Sequence, residues 1–138
     1  MIKLFIRLAI STSFLSAVAD RFGLWPVEVS AWGNWGNFIA YTQQLNPIVP
    51  KSLTPALGGL VTAAEVIFAI CLLLGFKTEY IARLSGILLS LFAFAMIASS
   101  GIKGVFDYSV LAASAAAFAL STMKEKYLEL DSVLANKK

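Results

Sequence analysis

The sequence contains no histidine, and this absence excludes several kinds of functional site. Histidine-ligated metals, bis-histidine haem and acid–base catalysis by imidazole all require the missing side chain. Cys71 is the only cysteine, so an intrachain disulfide, a CxxC dithiol and a thiolate zinc cluster are excluded as well. We therefore expect no metal site and no intrinsic cofactor, and any redox chemistry requires a borrowed cofactor.

Charged residues are also scarce, at 14% of the chain, and the basic ones form no run or stripe. The net charge of +3 is spread over the whole sequence, so we expect no binding of nucleic acid. In contrast, 59% of the residues are hydrophobic, which is more than a soluble domain needs for its core. This composition indicates a membrane protein whose main partner is the lipid bilayer.

Four apolar segments are long enough to be membrane helices, since a span needs about 20 apolar residues. They cover about residues 2–22, 54–76, 79–102 and 105–123. Thr54 and Pro55 are typical of a helix start, and Gly75 and Gly101 of helix ends. The sequence therefore predicts an all-α transmembrane four-helix bundle over residues 1–123, followed by a polar cytoplasmic tail over residues 124–138.

The predicted outer loop, residues 23–53, is too polar to span a membrane and contains all three tryptophans. Indole rings favour the membrane interface, where both the apolar ring and the N–H donor are satisfied. Five apolar or small residues recur here at helical spacing: Trp35, Phe38, Ile39, Thr42 and Leu45. We expect a short interfacial amphipathic helix that ends at Asn46 and Pro47.

The basic residues favour one orientation of the chain in the membrane. One side collects eight of them: Lys3, Arg7, Lys77, Arg83, Lys124, Lys126, Lys137 and Lys138. The other side has only Arg21, Lys51 and Lys103. By the positive-inside rule, we expect a multi-pass protein of the cell (inner or plasma) membrane with both termini in the cytoplasm.

The end of the first apolar segment permits two interpretations. Residues 17–19, Ala-Val-Ala, precede Asp20 as a leader-peptidase site would, and Lys3 and Arg7 resemble the basic start of a leader. Cleavage there would leave three spans and place the two termini on opposite sides of the membrane. Asp20 and Arg21 also suit a helix end at headgroup level, because arginine can snorkel outward. We expect the helix to be retained.

Glu65 is the most unusual residue of the second segment, because it lies about 15 Å from either end of its helix. Burying a charge at that depth costs at least about 2.5 to 3.5 kcal/mol, so its carboxyl must be protonated, paired with an arginine or hydrogen-bonded. Four serines are candidate partners: Ser13, Ser16, Ser99 and Ser114. Glu65 either ties helices together or acts as a proton carrier or ligand-binding group, and we assign no catalytic residue.

The candidate ligand-binding residues are Glu65, Asp20, Arg21, Trp32, Asn34, Trp35 and Asp107. Asp20, Arg21 and Asp107 should share the outer level, because the first helix ends there and the fourth begins there. Interfacial ion pairing and, for Asp107, a place in a first helical turn are the structural alternatives. We expect a pocket roofed by Trp32 and Trp35 and floored by Glu65.

Arg7, Glu79 and Arg83 form a second, inner polar group. Glu79 and Arg83 are spaced i,i+4 on the third segment and can pair at the membrane surface. The two arginines are positive-inside anchors in one interpretation and an inner anion site in the other.

Small residues at i,i+4 spacing occur on three segments: Gly59 with Ala63, Gly86 with Ser90, and Ala112 with Ala116. In lipid such pairs let helix backbones approach closely. They serve packing within the chain or formation of a homo-oligomer.

Several stretches together resemble the DoxX family of small four-helix membrane proteins. They are Arg7 in the first helix, AVADRFGLW at its exit, the loop WGNWGNF, and AAEVIFAICLLLGFKTEYIARL across the second and third segments. The resemblance covers nearly all of residues 4–122 and implies a four-helix membrane bundle. It also implies that Glu65, Arg7 and Arg83 belong to the family's polar framework.

Relatives in that family are described as membrane subunits of a thiosulfate:quinone oxidoreductase or as partners in membrane redox complexes. The resemblance thus implies a quinone-interacting subunit that binds a quinone and needs a soluble or membrane redox partner. The alternative is a non-catalytic membrane anchor, assembly factor or lipid-binding module. A transporter is disfavoured, because four short spans carry few intramembrane charges and no broken helix.

Overall fold

A computed structural model describes residues 1–125 and 128–135, and over these residues the chain forms helices and no β-strand. The helices are α1 (Ile2–Arg21), α2 (Trp35–Leu45), α3 (Thr54–Leu74), α4 (Thr78–Ser100), α5 (Ile102–Asp107), α6 (Val110–Thr122) and α7 (Leu130–Ala135). The prediction of an all-helical protein is therefore confirmed.

Three of the helices, α1, α3 and α4, are long and apolar enough to cross a membrane. They have 20, 21 and 23 residues, so each extends about 30 Å or more at 1.5 Å per residue. These helices indicate a membrane protein. α6 is also apolar but has 13 residues, which give a length of about 20 Å.

Glycines end two of the long helices as the sequence indicates. Gly75 follows α3 in the left-handed conformation with φ +69°, and Gly101 follows α4 with φ +88°. Both conformations are readily available to glycine, which has no Cβ. Thr54 is the first residue of α3 and Leu53 its N-cap, and the Thr54 hydroxyl donates to the Gln43 side chain instead.

The predicted continuous helix over residues 105–123 is wrong. Helix α5 ends at Asp107, and α6 begins at Val110 after Ser109, which has a left-handed φ of +55°. Aspartate and serine have low helix propensity because their side chains compete for backbone hydrogen bonds, which accounts for a break at this place.

The helices α1, α3, α4 and α6 enclose one apolar core. Helix α1 packs against α3 and α6, and α4 packs against the same two, most extensively against α6. The buried apolar residues of this core are Ile10, Phe14, Ala69, Leu72, Ile81, Ala82, Ala117 and Leu120. A second, smaller cluster consists of Ala93, Met96 and Val105.

Helix α2 packs against α3 and α4 near the end of α1. The last residue of α1, Arg21, contacts Glu65, so about three turns of α3 lie on the N-terminal side of that contact. Phe38 and Ile39 of α2 lie against Gly58 in those turns. Thus α2 covers the part of α3 that α1 does not reach.

Candidate functional site

The buried acid Glu65 forms an ion pair with Arg21, which joins α3 to the end of α1. Only 2% of Glu65 and 3% of Arg21 is exposed. Nη2 of Arg21 donates to Oε1 of Glu65 at 3.0 Å, and Nη1 donates to Oε2. Nη1 also donates to the hydroxyl of Thr62 at 2.7 Å, one turn before Glu65. Of the three states that the sequence leaves open for Glu65, the structure has the pairing with an arginine.

Two aromatic rings complete the surroundings of the guanidinium. The carbon Cζ of Arg21 lies 4.1 Å from the ring centroid of Phe38 and 5.4 Å from that of Trp32. Such cation–π contacts stabilise a cation that has lost its water. Within the part of the chain that the structure describes, Nε of Arg21 is buried without a hydrogen-bond partner. The rings therefore compensate for incomplete hydrogen bonding.

Asp20 has a different role from its neighbour, because its carboxylate binds the segment that follows α1. It accepts hydrogen bonds from the Ser30 hydroxyl and from the backbone amides of Ala31 at 2.8 Å, Trp32 at 3.2 Å and Gly33 at 3.3 Å. A carboxylate that accepts several amide donors is a strong local clamp. Asp20 thereby holds the loop, and with it Trp32, against the end of α1.

The other aromatic residues of the loop pack on each other. Trp35 stacks on Phe22 with centroids 5.5 Å apart, and it contacts Phe38 at 5.3 Å. The ring of Trp32 meets Phe38 edge-on at 5.4 Å. Phe38, which the sequence analysis treats only as one position of a helical pattern, is thus the centre of the cluster.

Asn34 is the N-cap of α2. Its side-chain oxygen accepts a hydrogen bond from the backbone amide of Asn37 at 2.8 Å, and the residue is exposed. This is a common capping arrangement, and it accounts for the asparagine without a ligand.

A groove of about 740 Å³ runs beside the clamp, between α1, the loop and the α5–α6 junction. Its polar and aromatic lining includes Thr12, Ser13, Ser16, Trp25, Trp32 and Tyr108. Asp20 also borders the groove. The indole N–H of Trp25 donates to the carbonyl oxygen of Ser16 at 3.2 Å, which fixes that ring over α1. Its volume is in the range of small-molecule pockets, and the groove is open along much of its length rather than enclosed.

The predicted pocket is therefore only partly assembled. Glu65, Arg21 and Trp32 come together, and Asp20 and Trp32 border the groove. Asp107 does not join them.

Asp107 is exposed and pairs with Lys103 at 2.5 Å within α5. Its expected place in the first turn of the fourth helix is wrong, because the break after residue 107 makes it the last residue of α5.

At the other end of the helices, Arg7 is completely buried. Its Nε donates to the carbonyl oxygen of Leu72 at 2.8 Å, and its Nη2 donates to that of Leu73 at 3.0 Å. These carbonyls belong to the last turn of α3, where a cation is favoured by the helix dipole. Arg7 is thus a positioning residue that binds the end of α3.

The expected ion pair between Glu79 and Arg83 is replaced by a longer-range one. Glu79 pairs with Lys124 at 2.8 Å, and Arg83 is exposed. The pairing follows from the chain's path after α6, which brings Lys124 to the first turn of α4.

The sequence analysis missed a polar cluster that includes Lys3, Glu129 and Asp131. Glu129 is 4% exposed and lies 2.9 Å from Nζ of Lys3. The carboxylate of Asp131 accepts hydrogen bonds from the amides of Lys77 at 2.9 Å and Thr78 at 3.2 Å. The tail contains acidic residues and is predicted to lie on the side of the membrane that collects most basic residues. This opposite charge is the sequence signal that indicates a contact between the tail and the basic end of α1. Part of the predicted tail thus folds against the helices, while residues 126–127 and 136–138 of that tail lie outside the described residues.

Over residues 1–125 and 128–135, no three His, Cys, Asp or Glu side chains come close enough to hold a metal ion. Comparison with known proteins finds no matching family model, no similar curated protein and no similar solved structure.

Proposed function

We propose that this chain is a DoxX-like integral membrane protein that binds a quinone ring in the groove beside Asp20 and serves as a subunit of a membrane oxidoreductase. The observation that carries the proposal is the lining of that groove, which combines aromatic rings with hydroxyl-bearing side chains. In this proposal α6 is the fourth span, α2 lies at the outer interface, and both termini are in the cytoplasm of a cell with a quinone-containing membrane.

The groove supplies the two kinds of contact that a quinone needs. A flat ring requires apolar faces, which Trp25, Trp32 and Tyr108 offer, and its carbonyl oxygens require a donor, which the hydroxyl of Ser16 offers. A bound quinone would supply the redox chemistry, because the chain has no histidine and only one cysteine and so lacks the usual ligands of haem and iron–sulfur centres. Electrons would enter from a partner protein or a small reductant.

Glu65 is linked to the groove through Arg21 and Trp32. Both of its oxygens accept hydrogen bonds from Arg21, and Arg21 lies beneath the ring of Trp32 that borders the groove. We therefore assign Glu65 as a positioning residue for Arg21 and Trp32, in place of the proton-carrier role that the sequence also allows.

A second candidate function is a membrane anchor or assembly module without chemistry of its own. The same ion pair favours it, because a carboxylate fully engaged by a guanidinium is a device for tying helices together.

The test measures quinone that is extracted with the purified protein. Thr12→Phe places a ring in the groove, and Thr122→Phe is the matched control. Both threonines are exposed on helices and bond a carbonyl within their own helix, at 2.8 Å and 2.7 Å, but only Thr12 borders the groove. We expect wild type and Thr122→Phe to retain quinone and Thr12→Phe to retain about tenfold less, as quantified by mass spectrometry.

Equal quinone in both variants, or none in the wild type, would contradict quinone binding in this groove. In that case crosslinking tests the second candidate function, a membrane anchor. A stable partner whose activity is unaffected by Thr12→Phe supports an anchor.

A further inference from the structure

Two cations are buried on one face of α1 at its N-terminal end. Lys3 is 4% exposed and Arg7 is 0% exposed, and their i,i+4 spacing places them one above the other. Buried cations require an anion close by. Here the anion is the carboxylate of Glu129, which lies 2.9 Å from Nζ of Lys3 and 3.8 Å from Nη1 of Arg7.

This anion belongs to the end of the chain and is held imperfectly. Leu128, just before it, has a left-handed φ of +48° and is 68% exposed, a conformation that is unfavourable for a residue with a Cβ. The buried oxygen Oε1 of Glu129 is in ion-pair contact, but among the described residues it has no hydrogen bond of acceptable geometry. The carboxylate of Glu129 thus occupies the space between the two cations, but its hydrogen bonding is incomplete.

Further donors bind the same short segment of the tail, because Asp131 follows Glu129 by two residues. The amides of Lys77 and Thr78, the N-cap and the first residue of α4, are occupied by the carboxylate of Asp131. The hydroxyl of Thr78, a residue that is 1% exposed, has no hydrogen-bond partner within the described part of the chain. The ammonium of Lys3, the positive charge of Arg7, two amides and a buried hydroxyl form a set of groups suited to an anion with several oxygens.

We propose that this cluster is a binding site for a phosphate-bearing anion, and that residues 128–132 occupy it as an internal competitor through Glu129 and Asp131. The phosphate comes from an anionic phospholipid headgroup or from a free phosphate. Binding displaces the tail, because the phosphate oxygens and the two carboxylates need the same donors. This site lies at the opposite end of α1 from the groove, so its test is independent of the proposed quinone binding.

The first experiment uses the wild-type chain in phosphatidylcholine nanodiscs and follows tryptic cleavage after Lys124, which pairs with Glu79 on α4. Phosphatidylglycerol in the nanodisc, or inorganic phosphate in solution, should accelerate cleavage about fivefold or more by releasing the tail. Sodium chloride at equal ionic strength is the control. Acceleration by inorganic phosphate identifies a free anion as sufficient, and acceleration by phosphatidylglycerol alone identifies the lipid headgroup. Acceleration by neither overturns the proposal.

The second experiment removes the competitor. Glu129→Gln keeps the size of the side chain but not its charge, and it should raise the phosphatidylglycerol retained per protein about tenfold in native mass spectrometry. Glu28→Gln, an exposed acid outside the cluster, is the control and should change nothing. Adding Lys3→Gln to Glu129→Gln should return retention to the wild-type level. Equal retention by Glu129→Gln and Glu28→Gln contradicts an anion site at this place.

Discussion

At the scale of single residues, Arg21 and Glu65 form a pair of opposite charges that are both almost completely buried. Removing two charges from water costs several kcal/mol per ion, and only close bidentate geometry with further hydrogen bonds offsets that cost. Thr62, Phe38 and Trp32 provide those further contacts. The pair therefore positions α1, α2 and α3 relative to each other more than it adds to stability.

We expect Glu65→Ala to lower the free energy of unfolding by about 3 to 5 kcal/mol, because it leaves the buried guanidinium without its counter-ion. The double variant Arg21→Met with Glu65→Leu should lower the free energy of unfolding much less, since it removes both charges. Chemical denaturation in detergent measures both differences.

Asp107→Ala is the control for this prediction, because it breaks an exposed pair that contributes at most about 1 kcal/mol. If Glu65→Ala were no less stable than Asp107→Ala, the carboxylate of Glu65 would not be the counter-ion of Arg21.

At the scale of elements, the approach of α2 to α3 depends on one of two adjacent glycines. A Cβ built on Gly58 would lie 2.5 Å from Cδ1 of Ile39 and 3.1 Å from Cε1 of Phe38. A Cβ on Gly59 would meet no atom within 4 Å. Both glycines lie within the same turn of α3, so replacing either one with alanine has a similar effect on helix propensity. A difference between the two variants therefore reports the packing of α2 on α3.

We expect Gly59→Ala to be neutral or to stabilise by up to about 1 kcal/mol, as alanine favours a helix interior. Gly58→Ala should be less stable than Gly59→Ala by about 1 kcal/mol or more, because the methyl group displaces α2. Thermal unfolding in detergent compares the two variants. Equal midpoints would show that α2 does not pack closely on α3.

At the scale of the whole molecule, the described part of the tail lies beside the N-terminal end of α1. Lys3 donates to the carbonyl oxygen of Glu125 at 2.7 Å, and Arg7 donates to that of Leu128 at 3.0 Å. The loop that carries Ser52 lies before α3, near the opposite end of α1. In the proposed orientation, the tail and the loop that carries Ser52 lie on opposite sides of the membrane.

Labelling with a membrane-impermeant maleimide tests that orientation after Cys71→Ser removes the native thiol. We expect Ser52→Cys to be labelled in intact cells and Glu125→Cys to be labelled only after permeabilisation, since both positions are exposed. Labelling of both sites in intact cells would argue against a membrane between them.

Much of the fold could be predicted because it depends on local features of the sequence. Apolar length predicts the three long helices, and Gly75 and Gly101 predict where two of them end. The break at Ser109 was not predicted, because the low helix propensity of Asp107 and Ser109 is a weak local signal that also occurs inside continuous helices.

Less of the candidate site could be predicted. The depth of Glu65 identifies it as a residue that needs a partner, but the sequence offers four serines and several arginines for that role. Arg21 is the partner because α1 ends beside the middle of α3, and that offset is a result of helix packing. The contact of Glu129 with Lys3 joins residues from opposite ends of the chain, so no local pattern contains it.

The sequence by itself determined that this is a helical membrane protein, which residues form its long helices and which buried acid requires a counter-ion. These properties follow from hydropathy, helix length and the cost of burying charge, all of which act along the chain. Only the tertiary structure decided which cation lies beside each acid, because an ion pair requires two side chains to meet within about 4 Å. That distance depends on how far the packed helices are displaced along one another.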